Sequence, residues 1–470
     1  MLQRTLCGLL AAAALAPAAF GQPPGGTADP GDPPQPALTG SDGRTLDRRA
    51  LIAAVLERNR DLAAARRAVA AARARADEVR GLPDLTASYS LAPLSPFDSD
   101  VSYGQVVEVG QELPWPGTLA RRGEQAEALA DAIQGELEAL RRELALAASQ
   151  GFDDYQYVER ALALNVEHLE LVRAFQEVAT ARYAAGIGPQ QAPLAAEVEV
   201  THLEHREVVL LADRSVLVAR LNSLLHRPVT AALPPPPKEA APLAHAAEPS
   251  AAEAIELALS RPEIAAVRAR IRADETAVAL ARLEGRPDFR PMASYNSMWD
   301  MGAHRWMVGL GLSLPVWRER VRAGVAAAEG ELAAERQRLA ALEDRVAAEV
   351  SAAVDRLAET RHVIALFENR RLPAARDQAR AARSGFETGQ VDFLAVIDAE
   401  RNLRDIELGL ADAQAEAQRR LAALQQAVGV MPGDPWPPAL SHDVGGDPAP
   451  VPSQPRPDNL AGVTRSGRRP

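Results

Sequence analysis

Everything in the middle of this chain is written twice, at a period of about 200 residues, so whatever the first half builds the second must build again. Asn59, Asp61, Leu62 and Arg66 return as Arg261, Glu263, Ile264 and Arg268, in helical segments that both end at a proline-aspartate pair, Pro83-Asp84 and Pro287-Asp288. Ala87-Ser88-Tyr89 returns as Ala293-Ser294-Tyr295, and Leu113-Pro114 as Leu314-Pro315. Farther on, Arg182-Tyr183-Ala184-Ala185-Gly186 corresponds to Gly385-Phe386-Glu387-Thr388-Gly389, and a glutamate follows eleven residues after the last glycine of each (Glu197, Glu400). The order never breaks. It defines two repeats, 44–227 and 250–429, joined by a proline-rich linker, 228–249.

Within each repeat the spacing of apolar residues changes from helical to alternating and back. Leu85, Ala87, Tyr89 and Leu91 form one alternating run, and Val101, Tyr103, Gln105, Val107, Val109 and Leu113 a second, set against Ser102, Gly104, Glu108, Gly110 and Glu112. In the second repeat Phe289, Ala293, Tyr295 and Trp299 are followed by Trp306, Val308, Leu310, Leu312 and Leu314, set against Met307, Gly309, Gly311 and Ser313. A period of two with one apolar face predicts strands. Each run approaches the roughly 9 to 11 residues with which a tilted strand crosses a bilayer, and carries tyrosine or tryptophan near its ends. Four membrane strands therefore fit better than two soluble hairpins. The hairpin loops fall at Ser95–Asp100 and Asp300–Arg305.

The rest of each repeat is helix too long for a globule. Leu119 to Ala185 contains no proline and as one helix would reach roughly 100 Å; Val321 to Thr388 is comparable and is interrupted only by Pro373. Rods of that length bury themselves only against other rods. Leu129, Ile133, Leu137, Leu140 and Leu144 step by 4, 4, 3 and 4, and Leu339, Leu342, Val346, Val350, Val354 and Leu357 by 3, 4, 4, 4 and 3. These steps predict a coiled-coil seam with an extra four-residue step that locally unwinds it. Shorter helices follow Gly186 and Gly389 and reach about Leu225 and Val428, and either glycine can take the left-handed cap that ends a long helix. The fold class is mainly α: long helical coiled-coil hairpins with a small membrane β-barrel contribution of four strands per chain.

Composition agrees. Aromatic residues make up only 4% of the chain, which favours long helices over compact sheets. The 52 basic and 63 acidic residues are interspersed and leave no concentrated basic patch, which argues against nucleic acid as a partner. Residues 1–21 read as a signal peptide: Arg4 supplies the positive start, Leu6 to Leu15 the apolar stretch, and Ala16 to Gly21 the small residues before cleavage between Ala18 and Gln22. Cys7, the only cysteine, lies at the front of the apolar stretch, whereas a lipid-anchor cysteine must follow it. The mature chain then has neither a disulfide nor a thiolate metal site. Residues 22–43, the linker and the tail 430–470 are rich in proline, glycine and polar residues and read as unstructured. No later run holds 18 consecutive apolar residues, so entry into a membrane must be by strands. Without a phosphate loop, a nucleophile elbow or zinc-protease spacing, neither an enzymatic activity nor a cofactor is expected.

The paired repeats, the Arg182-to-Gly186 turn with its second copy at Phe386 and Gly389, and Gln111-Glu112-Leu113-Pro114-Trp115-Pro116-Gly117 after the second strand resemble the TolC-like outer-membrane efflux proteins. The resemblance covers residues 46 to 429. It implies a homotrimer in outer-membrane lipid, a twelve-stranded barrel and a periplasmic helical tunnel, with a periplasmic adaptor and an inner-membrane pump of the RND type as partners. Physics alone reaches part of the way. Four strands leave two open edges that lipid does not tolerate, so copies must add until the sheet closes. Three copies give twelve strands, whereas two give eight, a barrel filled by its own side chains. Pro114-Trp115-Pro116-Gly117 is similar to the branch of the family that serves heavy-metal pumps, which implies metal cations as one cargo. An exit duct for type I protein secretion shares these features, and a soluble periplasmic coiled-coil adaptor shares the hairpins without the strands.

The resemblance also places the periplasmic tip at Tyr183, Gly186, Phe386 and Gly389, with the gate in the helix beyond. Asp398, nine residues past Gly389, matches an acidic gate position, so three copies would ring the axis with carboxylates; the plain alternative is a solvated helix charge. Ala395 and Ala192 stand where the family has acids, and Val391 where it has a basic latch residue. His202 and His205 lie three apart on one helix with no third ligand, so they are expected to be solvated and no metal site is assigned.

Overall fold

The computed structural model describes residues 38–40, 43–92, 104–239, 250–297 and 305–434. The expected signal peptide lies outside them, as do Ser95–Asp100, Val101, Tyr103, Trp299, all but Arg305 of the second loop, and most of 22–43 and 430–470. The elements run α1 (Arg48–Arg58), α2 (Arg60–Glu78), β1 (Leu85–Ala92), β2 (Gly104–Gln111), α3 (Thr118–Ala184) and α4 (Gln191–Leu224). Then follow α5 (Ala251–Ala258), α6 (Pro262–Leu283), β3 (Asp288–Asn296), β4 (Trp306–Ser313), α7 (Arg318–Leu366), a π-helical turn (Phe367–Arg371), α8 (Leu372–Glu387) and α9 (Phe393–Ala427). The same order of helices and strands thus occurs twice. Among the described residues no helix is long and apolar enough to cross a membrane.

The chain packs as two compact units. One comprises Val69–Arg142, Ala241–Arg361 and Arg420–Pro470 and holds the strands. Its helical core joins α5, α6, α7 and the end of α9 through Ala258, Ile264, Val346, Val350, Leu357 and Leu424, with Leu339, Leu342 and Val354 packed against them. The seam read on the second long helix is therefore built, and each of its buried aliphatic side chains contributes about 1.5–3 kcal/mol. Arg261 is the polar exception in this core. It is 7% exposed, pairs with Glu263 at 3.2 Å and Glu349 at 3.0 Å, and donates to the Ala427 carbonyl at 3.4 Å. Its counterpart Asn59 caps α2 by accepting from the Asp61 and Leu62 amides, whereas α6 opens on Pro262, which has no amide to cap.

The seam expected on the first long helix is built only in part. Leu137 and Leu144 are buried, whereas Leu129 is 45% exposed, and Gly123, Ala128, Ala130 and Ala132 of α3 are buried as well. Small side chains let helices approach most closely: a Cβ added at Gly135 would lie 2.8 Å from the Ala266 Cβ of α6.

The other unit comprises Met1–Ala68, Glu143–Ala240 and His362–Arg419. Here α4 returns along α3, joining Leu169, Val172 and Ala179 to Ala196 and Leu203, and to Phe393 and Ile397 of α9. α8 packs on α9 through Leu372, Ala375 and Ala379 against Ala399, Leu403 and Ile406. At the start of α1, Arg48 pairs with Asp153 of α3 while its guanidinium lies 5.0 Å from the Phe152 ring centroid. The Asp153 side chain is fully buried and its Oδ2 has no partner. Burial pushes this carboxyl up to about 7, against the pull of Arg48 and Arg419.

The described part of the linker read as unstructured, residues 228–239, has neither helix nor strand, yet it is tied down. Gln156 Nε2 donates to the carbonyls of Pro237 (2.9 Å) and Glu239 (3.0 Å), Asn222 Nδ2 to those of Val229 and Ala231, and the Leu46 amide to that of Pro235 at 2.8 Å. Prolines lack donors but keep acceptors, and side-chain amides supply the partners. The edges of the other two such segments are ordered in the same way: Thr39 bridges Leu46, and Gln425 Nε2 donates to the Asp434 carbonyl at 2.7 Å.

Pro373 does not break the second long rod; it loosens the rod one turn earlier. The Leu372 amide donates to the Phe367 carbonyl five residues back, the π pattern. The wider turn accommodates a residue that has no amide and whose ring would clash with the carbonyl four positions before it. Phe367 seats its ring on α9 at Gly409, where an added Cβ would sit 3.0 Å from the ring, and the Arg371 guanidinium lies 4.4 Å from the ring centroid.

Candidate functional site: a two-faced sheet and a charged helical tip

The four strands pair in chain order, all antiparallel. Directly opposed residues share a face. Tyr89 opposes Val107, Val107 opposes Tyr295, and Tyr295 opposes Trp306; Ala87, Val109, Ala293 and Val308 form the adjoining row. Phe289 faces Leu312 and Pro291 faces Leu310, so most of the large apolar side chains of the four strands fall on one side, with Val106, Met292 and Met307 on the other. Ser88, Glu108 and Ser294 form a row on the other, with Arg290 3.7 Å from Glu108. The apolar face is uncovered, to 90% at Val308. Contiguous apolar surface of this kind marks a membrane or a partner. Each strand is eight or nine residues long, and among the described residues the outer edges of β1 and β4 have no partner.

Trp115 at the foot of β2 has a structural use. Its ring stacks on Phe289 at 5.9 Å, Arg286 lies 5.6 Å from its centroid, and its amide donates to Asp288 Oδ1 at 3.0 Å. The motif therefore fixes the junction of strand and helix and presents no ligand.

In the other unit the two turns expected at the tip are built alike. Gly186 has φ +72° and Gly389 φ +75°, values that favour glycine. The Gly186 amide donates to the Tyr183 carbonyl and the Ile187 amide to that of Arg182; Gly389 donates to Phe386 and Gln390 to Gly385 in the same pattern. Both are Schellman caps. The turns also touch each other: Arg182 Nη1 donates to the Phe386 carbonyl at 3.3 Å and its guanidinium lies 4.6 Å from the Phe386 ring, which packs on Phe393 at 5.5 Å. Tyr183 is exposed.

Beyond the turns lies a layer of buried charge that the sequence did not announce. Glu199 of α4, 2% exposed, accepts from Arg401 Nε at 2.5 Å and Arg404 Nη1 at 2.9 Å, both on α9. Glu400, equally buried, takes a two-pronged contact from Arg383, with Nη2 at 2.7 Å from Oε2. His168 Nε2 stands 3.4 Å from Glu407 Oε2, and Arg376 reaches the other oxygen at 3.4 Å. The hydrogen bond from His168 holds the Glu407 carboxyl below the usual range, helped by Arg376 and opposed by burial. The matched spacing of Glu197 and Glu400 points to one of these charges only: Glu400 is buried and Glu197 exposed, and it is Glu199 that pairs with α9.

Asp398 sits beside this layer, with its side chain 74% exposed and Oδ1 3.7 Å from Arg401 Nη1. Ala192 is buried, and Ala395 and Val391 are half-buried. His202 and His205 are both exposed, and among the described residues no group of three histidine, cysteine or acidic side chains converges as a metal site would.

No curated protein matches the chain by sequence. Solved structures do match its fold. The outer-membrane channel OprN is 22% identical, with a TM-score of 0.70 over 81% of this chain and 89% of its own. CusC, a protein that undergoes conformational changes accompanying folding and transmembrane channel formation, is 19% identical with a TM-score of 0.72 over 82% of this chain and 92% of its own. The outer membrane protein VceC from Vibrio cholerae is 17% identical with a TM-score of 0.69 over 82% and 96%. Residues 255–430 match the sequence profile of the family described as Outer membrane efflux protein. The second half of the chain thus resembles the outer membrane efflux protein family in sequence, and the described residues share the fold of these solved outer-membrane channels.

Proposed function

We propose that three copies of this chain form a passive channel through the outer membrane, the last component of an efflux system whose inner-membrane pump and periplasmic adaptor deliver the cargo. The observation that carries this reading is the register of the sheet, which gathers most of the large apolar side chains of four strands on one face and leaves β1 and β4 open at their edges. A sheet with open edges is excluded from lipid, and three copies close it around a lumen lined by the polar face. Mature protein in a detergent that preserves membrane barrels should run at three times the chain mass by native mass measurement. A monomer or dimer would overturn the assembly.

Asp398 belongs to the same reading. Exposed and only loosely held by Arg401, it is free to face an axis, where three carboxylates raise the local cation concentration and repel one another. Asp398→Ala should leave trimer yield unchanged and lower cation preference in planar bilayers. Unchanged conductance, selectivity and divalent-cation block would make Asp398 a surface charge and put the constriction elsewhere.

A further inference from the structure

The foot of β4 carries a feature that the channel reading leaves unused. Leu314, Val316 and Trp317 are all exposed, Trp317 to 78%, and α7 begins at once with Arg318 and Arg320, both exposed and without an ionic partner among the described residues. Neighbouring arginines are committed: Arg322 to Glu319 and Arg121 to Glu124. Two free cations in the first turn of a helix are on the wrong side of its dipole, which favours anions there. Alone they weaken the helix start, and an anionic group placed against them removes the penalty.

The first repeat indicates which of these side chains assembly would cover. Leu113-Pro114 aligns with Leu314-Pro315, so Trp115 corresponds to Val316 and Pro116 to Trp317. Within the chain, the second repeat covers Trp115 with Phe289 and Arg286 and leaves Pro116 exposed. A neighbouring copy placed in the same way would cover Val316 and leave Trp317 free, with Arg318 and Arg320 beside it. The exposed group therefore pairs an amphipathic ring with two guanidinium groups, at the level where strand gives way to helix.

We propose that Trp317, Arg318 and Arg320 form a docking surface for anionic phospholipid headgroups in the leaflet on the helical side of the outer membrane. The ring lies at the depth of the headgroups, where an apolar body with a polar N–H is most favourable, and the guanidinium groups bind phosphate. This rests on the membrane reading of the sheet. The test is native mass spectrometry of purified trimers titrated with phosphatidylglycerol or phosphatidylcholine. Wild type should retain phosphatidylglycerol in preference, by roughly five- to thirtyfold for two basic groups. Arg318→Gln with Arg320→Gln should abolish the preference while leaving trimer mass unchanged, and Trp317→Ala should lower retention of both lipids. Equal retention of the two lipids by wild type, or an undiminished preference in the double variant, would overturn the proposal. Failure of the channel reading looks different: wild type would not be trimeric at all.

Discussion

Leu310→Arg should abolish assembled channel in the outer membrane, whereas Ser88→Arg should leave it near wild-type level. Leu310 lies mid-strand on the apolar face, opposite Pro291. An arginine on the lipid face near the bilayer centre costs about 2–4 kcal/mol, and three copies place about 6–12 kcal/mol on one trimer. That is comparable with the whole stability of a typical domain. Ser88 is also mid-strand, but on the other face, opposite Glu108, where a guanidinium gains an ionic neighbour and, in the proposed barrel, would face the lumen. Heat-resistant trimer on gels of outer-membrane fractions reads both variants. Equal yields would mean that the apolar face does not meet lipid.

The second large effect is at Arg48. Arg48→Ala removes the cation that pairs with the fully buried Asp153, and leaving such a carboxylate uncompensated costs about 3–5 kcal/mol. The cost depends on pH in a definite direction. The folded Asp153 carboxyl is raised to about 7 from its ordinary 3.8, so its protonated form is the one the fold favours, and its contribution to stability is lost as pH rises towards 7. Loss of Arg48 raises it further. The variant should therefore be most destabilised at pH 8 and recover much of its thermal midpoint by pH 5.5. Adding Asp153→Asn should restore stability at pH 8 and flatten the difference. A deficit independent of pH would show that Arg48 acts through packing on Phe152 instead of through charge.

Most of this architecture was legible because periodicity reports burial directly. The four strands could be read from alternate positions such as Tyr89, Val107, Tyr295 and Trp306, since one face is mostly apolar. The two capping turns could be read because Gly186 and Gly389 carry a backbone conformation that few other residues take. What failed did so for physical reasons. Alanine carries little hydrophobic signal, so the buried Ala128, Ala130 and Ala132 of α3 were not legible, whereas Leu137 and Leu144 were. The clamp of Glu199 by Arg401 and Arg404 joins residues some two hundred positions apart, and in a chain so rich in charge nothing marks which glutamate turns inward. The tethered linker was missed because its ordering comes from Gln156 and Asn222, which are far from it in sequence or ordinary in composition.

The π-helical turn at Phe367–Arg371 makes the two long rods mechanically unequal. α3 is a uniform shaft over its 67 residues, and torque applied at either end is carried along unbroken rows of hydrogen bonds. The α7–α8 rod has a joint. One added residue in a turn shifts the downstream phase by about 100°, which sets the face on which Leu372, Ala375 and Ala379 meet α9. The joint is also clasped, by Phe367 lodged against Gly409 and by Arg371 stacked on its ring. Rotation of the second rod about its own axis is therefore concentrated at one place, and that place is held by a single aromatic side chain.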